Sequence, residues 1–146
     1  MPSTAFHLAL PVDDLDAAET FYGEVLSCPR GRSSPRWTDY DFYGHQLVVH
    51  KVKSEDLPAV ARNPVDGDAV PASHFGVVLD WDDWDSLQSR LKSSGVEYAI
   101  DPKTRFAGRQ GEQRTCFVRD PAGNHLEFKC FRNPEMLFAT EGFEYE

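Results

Sequence analysis

The chain has 146 residues, 40% of them hydrophobic and 12% aromatic, and a formal net charge of −9. That apolar content is enough for one folded core of about 146 residues and excludes a disordered chain. The acidic balance opposes general binding to nucleic acid or an anionic membrane surface.

Residues 3–12 read as a strand, with Phe6, Leu8 and Leu10 facing one way and His7 and Ala9 the other. Asp13 and Asp14 offer N-caps to a helix that carries Leu15, Ala18, Phe21, Tyr22, Val25 and Leu26 at helical spacing. Cys28-Pro29-Arg30-Gly31 closes it, and the polar, basic residues 30–36 are expected as a mobile strand or loop. Trp37–Tyr43 and His45–Val52 read as two strands joined around Gly44. Pro58, Pro64, Pro71 and Gly67 make residues 53–72 a connector. His74–Asp80 is the next strand, with Phe75, Val77 and Leu79 on one side. Asp82 or Asp83 then caps a helix bearing Trp84, Leu87 and Leu91, closed by Ser94-Gly95. Val96–Ile100 reads as a strand, Asp101–Arg114 as a cation-rich loop and Thr115–Arg119 as a strand. Asp120-Pro121-Ala122-Gly123-Asn124 is a turn signal. In His125–Phe131, Leu126, Phe128 and Cys130 alternate with His125, Glu127 and Lys129. A short helix is expected within 133–140, and the last six residues are expected to fray.

The plan is strand, helix, strands, twice over, which makes the fold class α+β. His7 with Asp14-Leu15-Asp16 matches His74 with Asp83-Trp84-Asp85, and Gly44–Val48 matches Gly123–Glu127 without a gap. The repeat therefore sets His7 opposite His74 and Val48 opposite Glu127. A carboxylate among large apolar neighbours is costly to bury unless something pairs with it. We read His7, His74 and Glu127 as metal ligands that converge on one concave face. Two imidazoles and one carboxylate suit a divalent ion and leave positions open for substrate. Iron(II), manganese, nickel, cobalt and zinc all accept such a set. Gln46 and His50 share the face of Val48 and are the candidate proton-transfer groups. Arg105 and Arg109 in the cationic loop suit a carboxylate or phenolate of a substrate. Tyr40 and Phe42, with Phe106 and Phe117, are candidates for an aromatic wall. His45 and His125 flank turns and are expected at the surface or behind the ligands.

Cys28, Cys116 and Cys130 form no close-spaced pair and are expected as free thiols in a reducing compartment. With no basic-then-apolar leader and no membrane-length apolar run, the expected location is the cytoplasm. The expected organisation is a single domain, 1–146, with modules at about 3–52 and 73–131, a linker at 53–72 and a C-terminal extension at 132–146.

These residues carry a family resemblance. His7–Asp13 with Ala18-Glu19-Thr20-Phe21-Tyr22, His74-Phe75-Gly76-Val77 and Asp120–Phe128 resemble the vicinal oxygen chelate superfamily of glyoxalases, bleomycin-resistance proteins and extradiol dioxygenases. Gly44–His50 and the stretch from Arg105-Phe106 to Gly111-Glu112-Gln113 resemble its dioxygenase-like branch. The resemblance implies two βαβββ modules forming a cupped, mostly antiparallel sheet, assembled as a homodimer. It implies a metal held by His7, His74 and Glu127, and a small-molecule substrate chelated through adjacent oxygens. Val48 stands where glyoxalase-type members carry a carboxylate, which leaves the three-ligand set of iron(II) dioxygenases. The expected function is thus a metal-dependent oxidoreductase of dioxygenase type. A lyase, isomerase or glutathione-linked transferase is the alternative within the fold, and a non-catalytic ligand-sequestering protein the alternative outside catalysis.

Overall fold

The computed structural model describes residues 4–141. The chain is α+β, and its first half runs β1 (His7–Val12), α1 (Leu15–Ala18), a π-helical segment (Glu19–Val25), β2 (Arg30–Ser34), β3 (Trp37–Phe42) and β4 (His45–Lys51). A short hairpin follows, β5 (Arg62–Val65) and β6 (Asp68–Pro71). The second half runs β7 (Phe75–Leu79), α2 (Trp81–Ser94), β8 (Tyr98–Arg105), β9 (Gln113–Arg119) and β10 (His125–Phe131), with a 3₁₀ turn at Pro134–Phe138. The expected fraying of the last six residues falls almost wholly outside the described residues.

The two halves share one topology. Their sheets are ordered β1-β4-β3-β2 and β7-β10-β9-β8, each with one parallel and two antiparallel pairings. The register confirms the sequence repeat. Ala9 pairs with Val48 and Gly76 with Glu127, so the residue two past each histidine meets the equivalent position of its neighbour strand.

The chain divides into two compact units, one of Met1–Ala59 with Asp120–Asn124 and one of Val60–Arg119 with His125–Glu146. In the first, Leu47 and Val49 of β4 and Tyr40 of β3 are buried, together with Phe21, Tyr22 and Leu26 from the helical segment. Asp14 caps that segment, its carboxylate accepting from the Asp16 and Ala17 amides at 2.9 and 3.1 Å. In the second, Leu126, Phe128 and Cys130 alternate inward from β10, and Trp84, Leu87 and Leu91 line the buried side of α2. Burying a side chain of this size contributes about 1.5–3 kcal/mol. Gln88 is buried in the same layer but satisfied, accepting from the Tyr98 hydroxyl at 2.5 Å and donating to Cys116 Sγ at 3.4 Å.

Several boundaries differ from the expectation for physical reasons. Residues 53–72 are more than a connector: Asp66 and Gly67, both at positive φ (49° and 82°), form the two-residue turn of the β5–β6 hairpin. The cationic loop shrinks to residues 106–112, because β8 runs on to Arg105. Pro102 is tolerated there because β8 is an edge strand whose register slips between Ile100 and Lys103. Residues 30–34 are a paired strand. Asp80, not Asp82 or Asp83, is the N-cap of α2. His74 lies one residue before β7 rather than within it. Cys28, Cys116 and Cys130 are all buried. Burial first, with Glu127 and Cys130 adding, pushes the Cys116 thiol up from its ordinary 9.0 to about 11.

Candidate metal centre

In the second unit, β10 and β9 present Glu127 opposite Phe117, and Thr115 opposite Lys129. The strand period of two puts all four on the face turned away from Leu126 and Phe128. The parallel neighbour β7 sets Gly76 against Glu127. A Cβ there would stand 1.6 Å from the Glu127 carbonyl oxygen, so only glycine lets the two backbones approach this closely. His74, two residues before Gly76, reaches the same face.

His74 and Glu127 meet, with Nε2 3.3 Å from Oε1. The His74 Nδ1 lies 2.7 Å from the Pro71 carbonyl oxygen. A carbonyl only accepts, so Nδ1 carries a proton, and Nε2 is the nitrogen turned toward the carboxylate. Nε2 and Oε1 at this distance either share a proton as an ion pair or together face a metal ion. The other Glu127 oxygen, Oε2, accepts a short hydrogen bond from the Thr115 hydroxyl. Each donor is therefore held from behind, as outer contacts hold metal ligands. The Phe117 ring meets the His74 ring edge to face at 5.0 Å and limits its rotation.

In the first unit, His7 pairs in register with Gln46 of β4. Its Nδ1 lies 2.9 Å from Gln46 Oε1, and Gln46 Nε2 points to Asp39 Oδ2 at 3.5 Å. That amide orientation makes His7 Nδ1 the donor and turns Nε2 away from Gln46. Arg32 lies 3.4 Å from the same Asp39 oxygen. Both copies of the repeat thus anchor Nδ1 and offer Nε2, one through a backbone carbonyl and the other through a glutamine.

A cavity of about 190 Å³ opens at His74 and Glu127. It is lined by Thr115, Phe117, Lys129, Ile100, Lys103 and Arg105 from the sheet, and by Val65, Asp66, Asp68 and Val70 from the hairpin. Arg105 is ion-paired with Asp66, and Lys103 Nζ lies 2.5 Å from Asp68 Oδ2. The β5–β6 hairpin is the cavity-lining element that the sequence reading missed. Its Asp66-Gly67 turn signal lay in plain view, masked by the surrounding prolines.

The other expected site residues fall elsewhere. Gln46 orients His7, and His50 is exposed on β4, paired in the ladder with Pro11 and Trp37. Tyr40 is buried in the first unit against Tyr22, and its hydroxyl donates to Glu19 at 2.5 Å. This placement makes Tyr40 a core residue rather than a wall of the cavity. Phe106, at φ 55°, lies beneath the Arg105 guanidinium at 5.0 Å, and Arg109 is exposed. Of the two placements expected for His125, at the surface or behind the ligands, its burial excludes the first, and His45 accepts from the Phe6 amide at 2.8 Å. Among the described residues, no three His, Cys, Asp or Glu side chains form a metal-binding group. The His74–Glu127 pair stands as two donors.

The Glyoxalase/Bleomycin resistance protein/Dioxygenase superfamily profile matches residues 4–128. A glyoxalase/bleomycin resistance protein/dioxygenase from Alicyclobacillus acidocaldarius is 33% identical, with 94% of this chain and 98% of that chain covered at a TM-score of 0.76. The fosfomycin resistance protein FosX from Listeria monocytogenes is 20% identical (94% and 100% covered, TM-score 0.69). Lactoylglutathione lyase from Agrobacterium tumefaciens is 23% identical (88% and 94% covered, TM-score 0.59). The last two likenesses extend to the fold alone. No curated protein matches the sequence.

Proposed function

Since this chain belongs to the glyoxalase/bleomycin resistance protein/dioxygenase superfamily, we propose that it is a metal-dependent enzyme acting on a small molecule through two adjacent oxygens. One observation carries the reading: His74 Nε2 faces a Glu127 oxygen at 3.3 Å, with both side chains fixed from behind. The donors fit a divalent ion, iron(II) first, with manganese, nickel, cobalt and zinc as alternatives. When bound, such an ion supplies Lewis acidity for negative charge developing on substrate oxygens. The protein's part is to hold and orient. Pro71 fixes the His74 tautomer, Thr115 fixes the Glu127 rotamer, and Phe117 blocks the ring from turning. The sequence adds His7 as a third donor, which Gln46 would keep in its tautomer. His50 remains the proposed proton-transfer group and Arg105 a proposed substrate contact. We further propose a cytoplasmic homodimer, for which light scattering is the check on assembly.

The test is metal binding by the folded protein, with iron(II) or manganese(II) titrated anaerobically. Glu127→Ala and His74→Ala should each weaken binding by at least 10–100-fold, and His7→Ala decides the third donor. Wild-type affinity in both of the first two variants would remove the metal reading. Oxygen uptake on a catechol panel with iron(II) then marks the dioxygenase. Turnover with nickel, cobalt, zinc or manganese and no oxygen uptake marks a lyase, isomerase or transferase instead.

A further inference from the structure

Six charged side chains line the His74–Glu127 cavity: the cations Lys103, Arg105 and Lys129, and the carboxylates Asp66, Asp68 and Glu127. Two of those carboxylates come from the β5–β6 hairpin rather than from the four-stranded sheet. Asp66 and Asp68 flank the glycine of the hairpin turn and reach to Arg105 and Lys103 respectively. Their side chains, and those of their partners, keep between 24% and 34% exposure, so these pairs are neither sealed in the core nor fully screened. An arginine fork and a lysine side by side suit an anionic oxygen group. In this structure, two carboxylates from one turn fill those positions.

We infer that Lys103 and Arg105 form an anion subsite for the substrate, a carboxylate, phosphonate or phosphate group, and that Asp66 and Asp68 hold its place until that group arrives. The exchange is of one anion for another, so the cations are at no stage left unpaired. Loss of the aspartate contacts frees the hairpin tip. The same hairpin ends at Pro71, whose carbonyl anchors His74. This reading names the substrate class for the function proposed above, but the subsite itself consists of protein charges and stands without the metal.

Inorganic phosphate binding to the metal-free full-length protein is the test, read by calorimetry and by amide exchange over residues 62–71. Phosphate should bind the wild type and speed exchange in the hairpin. Asp66→Asn with Asp68→Asn should tighten binding by about tenfold, the scale of two competing part-exposed ion pairs. Arg105→Gln with Lys103→Gln should abolish it, with circular dichroism showing the fold retained. Unchanged affinity in the double asparagine variant, or slower hairpin exchange on adding phosphate, overturns the inference. Failure of the metal reading looks different: metal affinity insensitive to Glu127→Ala, with the phosphate results intact.

Discussion

At the scale of single residues, the close approach at Gly76 makes the sharpest prediction. An alanine there would drive its Cβ into the Glu127 carbonyl, and backbone cannot yield as a side-chain tip does. Gly76→Ala should cost about 3 kcal/mol or more in urea unfolding, and any folded fraction should lose metal affinity because β10 has moved. Thr115→Val keeps the shape and removes the hydroxyl from Glu127. It should leave the thermal midpoint within a few degrees while weakening metal binding about tenfold or more, as loss of an outer contact does. Tyr22 sets a pH dependence. Burial first, and then Asp120, raise its hydroxyl well above the ordinary 10.0. The hydroxyl donates to Asp120 Oδ2 at 2.7 Å. Because the folded state keeps this proton longer than the unfolded chain, the stabilisation is whole below pH 10 and is lost as pH rises beyond it. Tyr22→Phe should be about 1–3 kcal/mol less stable at pH 7, and the gap should narrow at pH 11. A gap that widens instead would refute this.

At the scale of elements, helix α2 was legible because Trp84, Leu87 and Leu91 recur at helical spacing on one side, and those residues are the buried ones. Leu87→Ala should cost about 2–5 kcal/mol, measurable by denaturant unfolding. The first helix was legible in existence but not in type. The bond from the Leu26 amide to the Phe21 carbonyl at 3.0 Å spans five residues and belongs to a wider helical turn. Apolar periodicity does not separate that turn from an α-helix over two turns. The β5–β6 hairpin was missed for a different reason. Its four-residue strands are mostly exposed and carry no apolar alternation, so only the Asp66-Gly67 turn announced them. Edge strand β8 was expected to end at Ile100 but runs on through Pro102 to Arg105, which its edge position permits.

At the scale of the whole molecule, the internal repeat was the most informative feature of the sequence. The two sheets have equivalent strand orders, and Ala9–Val48 and Gly76–Glu127 are equivalent pairs. That equivalence identifies Val48 as the position where the first copy lacks the acid of the second. Pattern reading singled out His7, His74 and Glu127, because each is a polar residue out of place in or beside an otherwise apolar strand, and the structure brings His74 and Glu127 together. It did not find what holds them: Pro71, Thr115 and Asp39 are contacts made by backbone path and rotamer, which leave no periodic trace. No helix among the described residues is long and apolar enough to cross a membrane.

The turn Asp120–Asn124 belongs to the first unit although it lies between two strands of the second. There Asp120 takes the Tyr22 hydroxyl along with the Ala122 and Asn124 amides, and the Asn124 side chain donates to the Pro11 carbonyl at 3.0 Å. The polypeptide therefore cannot be severed into autonomous halves. A fragment stopping at Ala59 would expose the Tyr22 socket with nothing to fill it, whereas a nicked chain supplied with both pieces should reassemble.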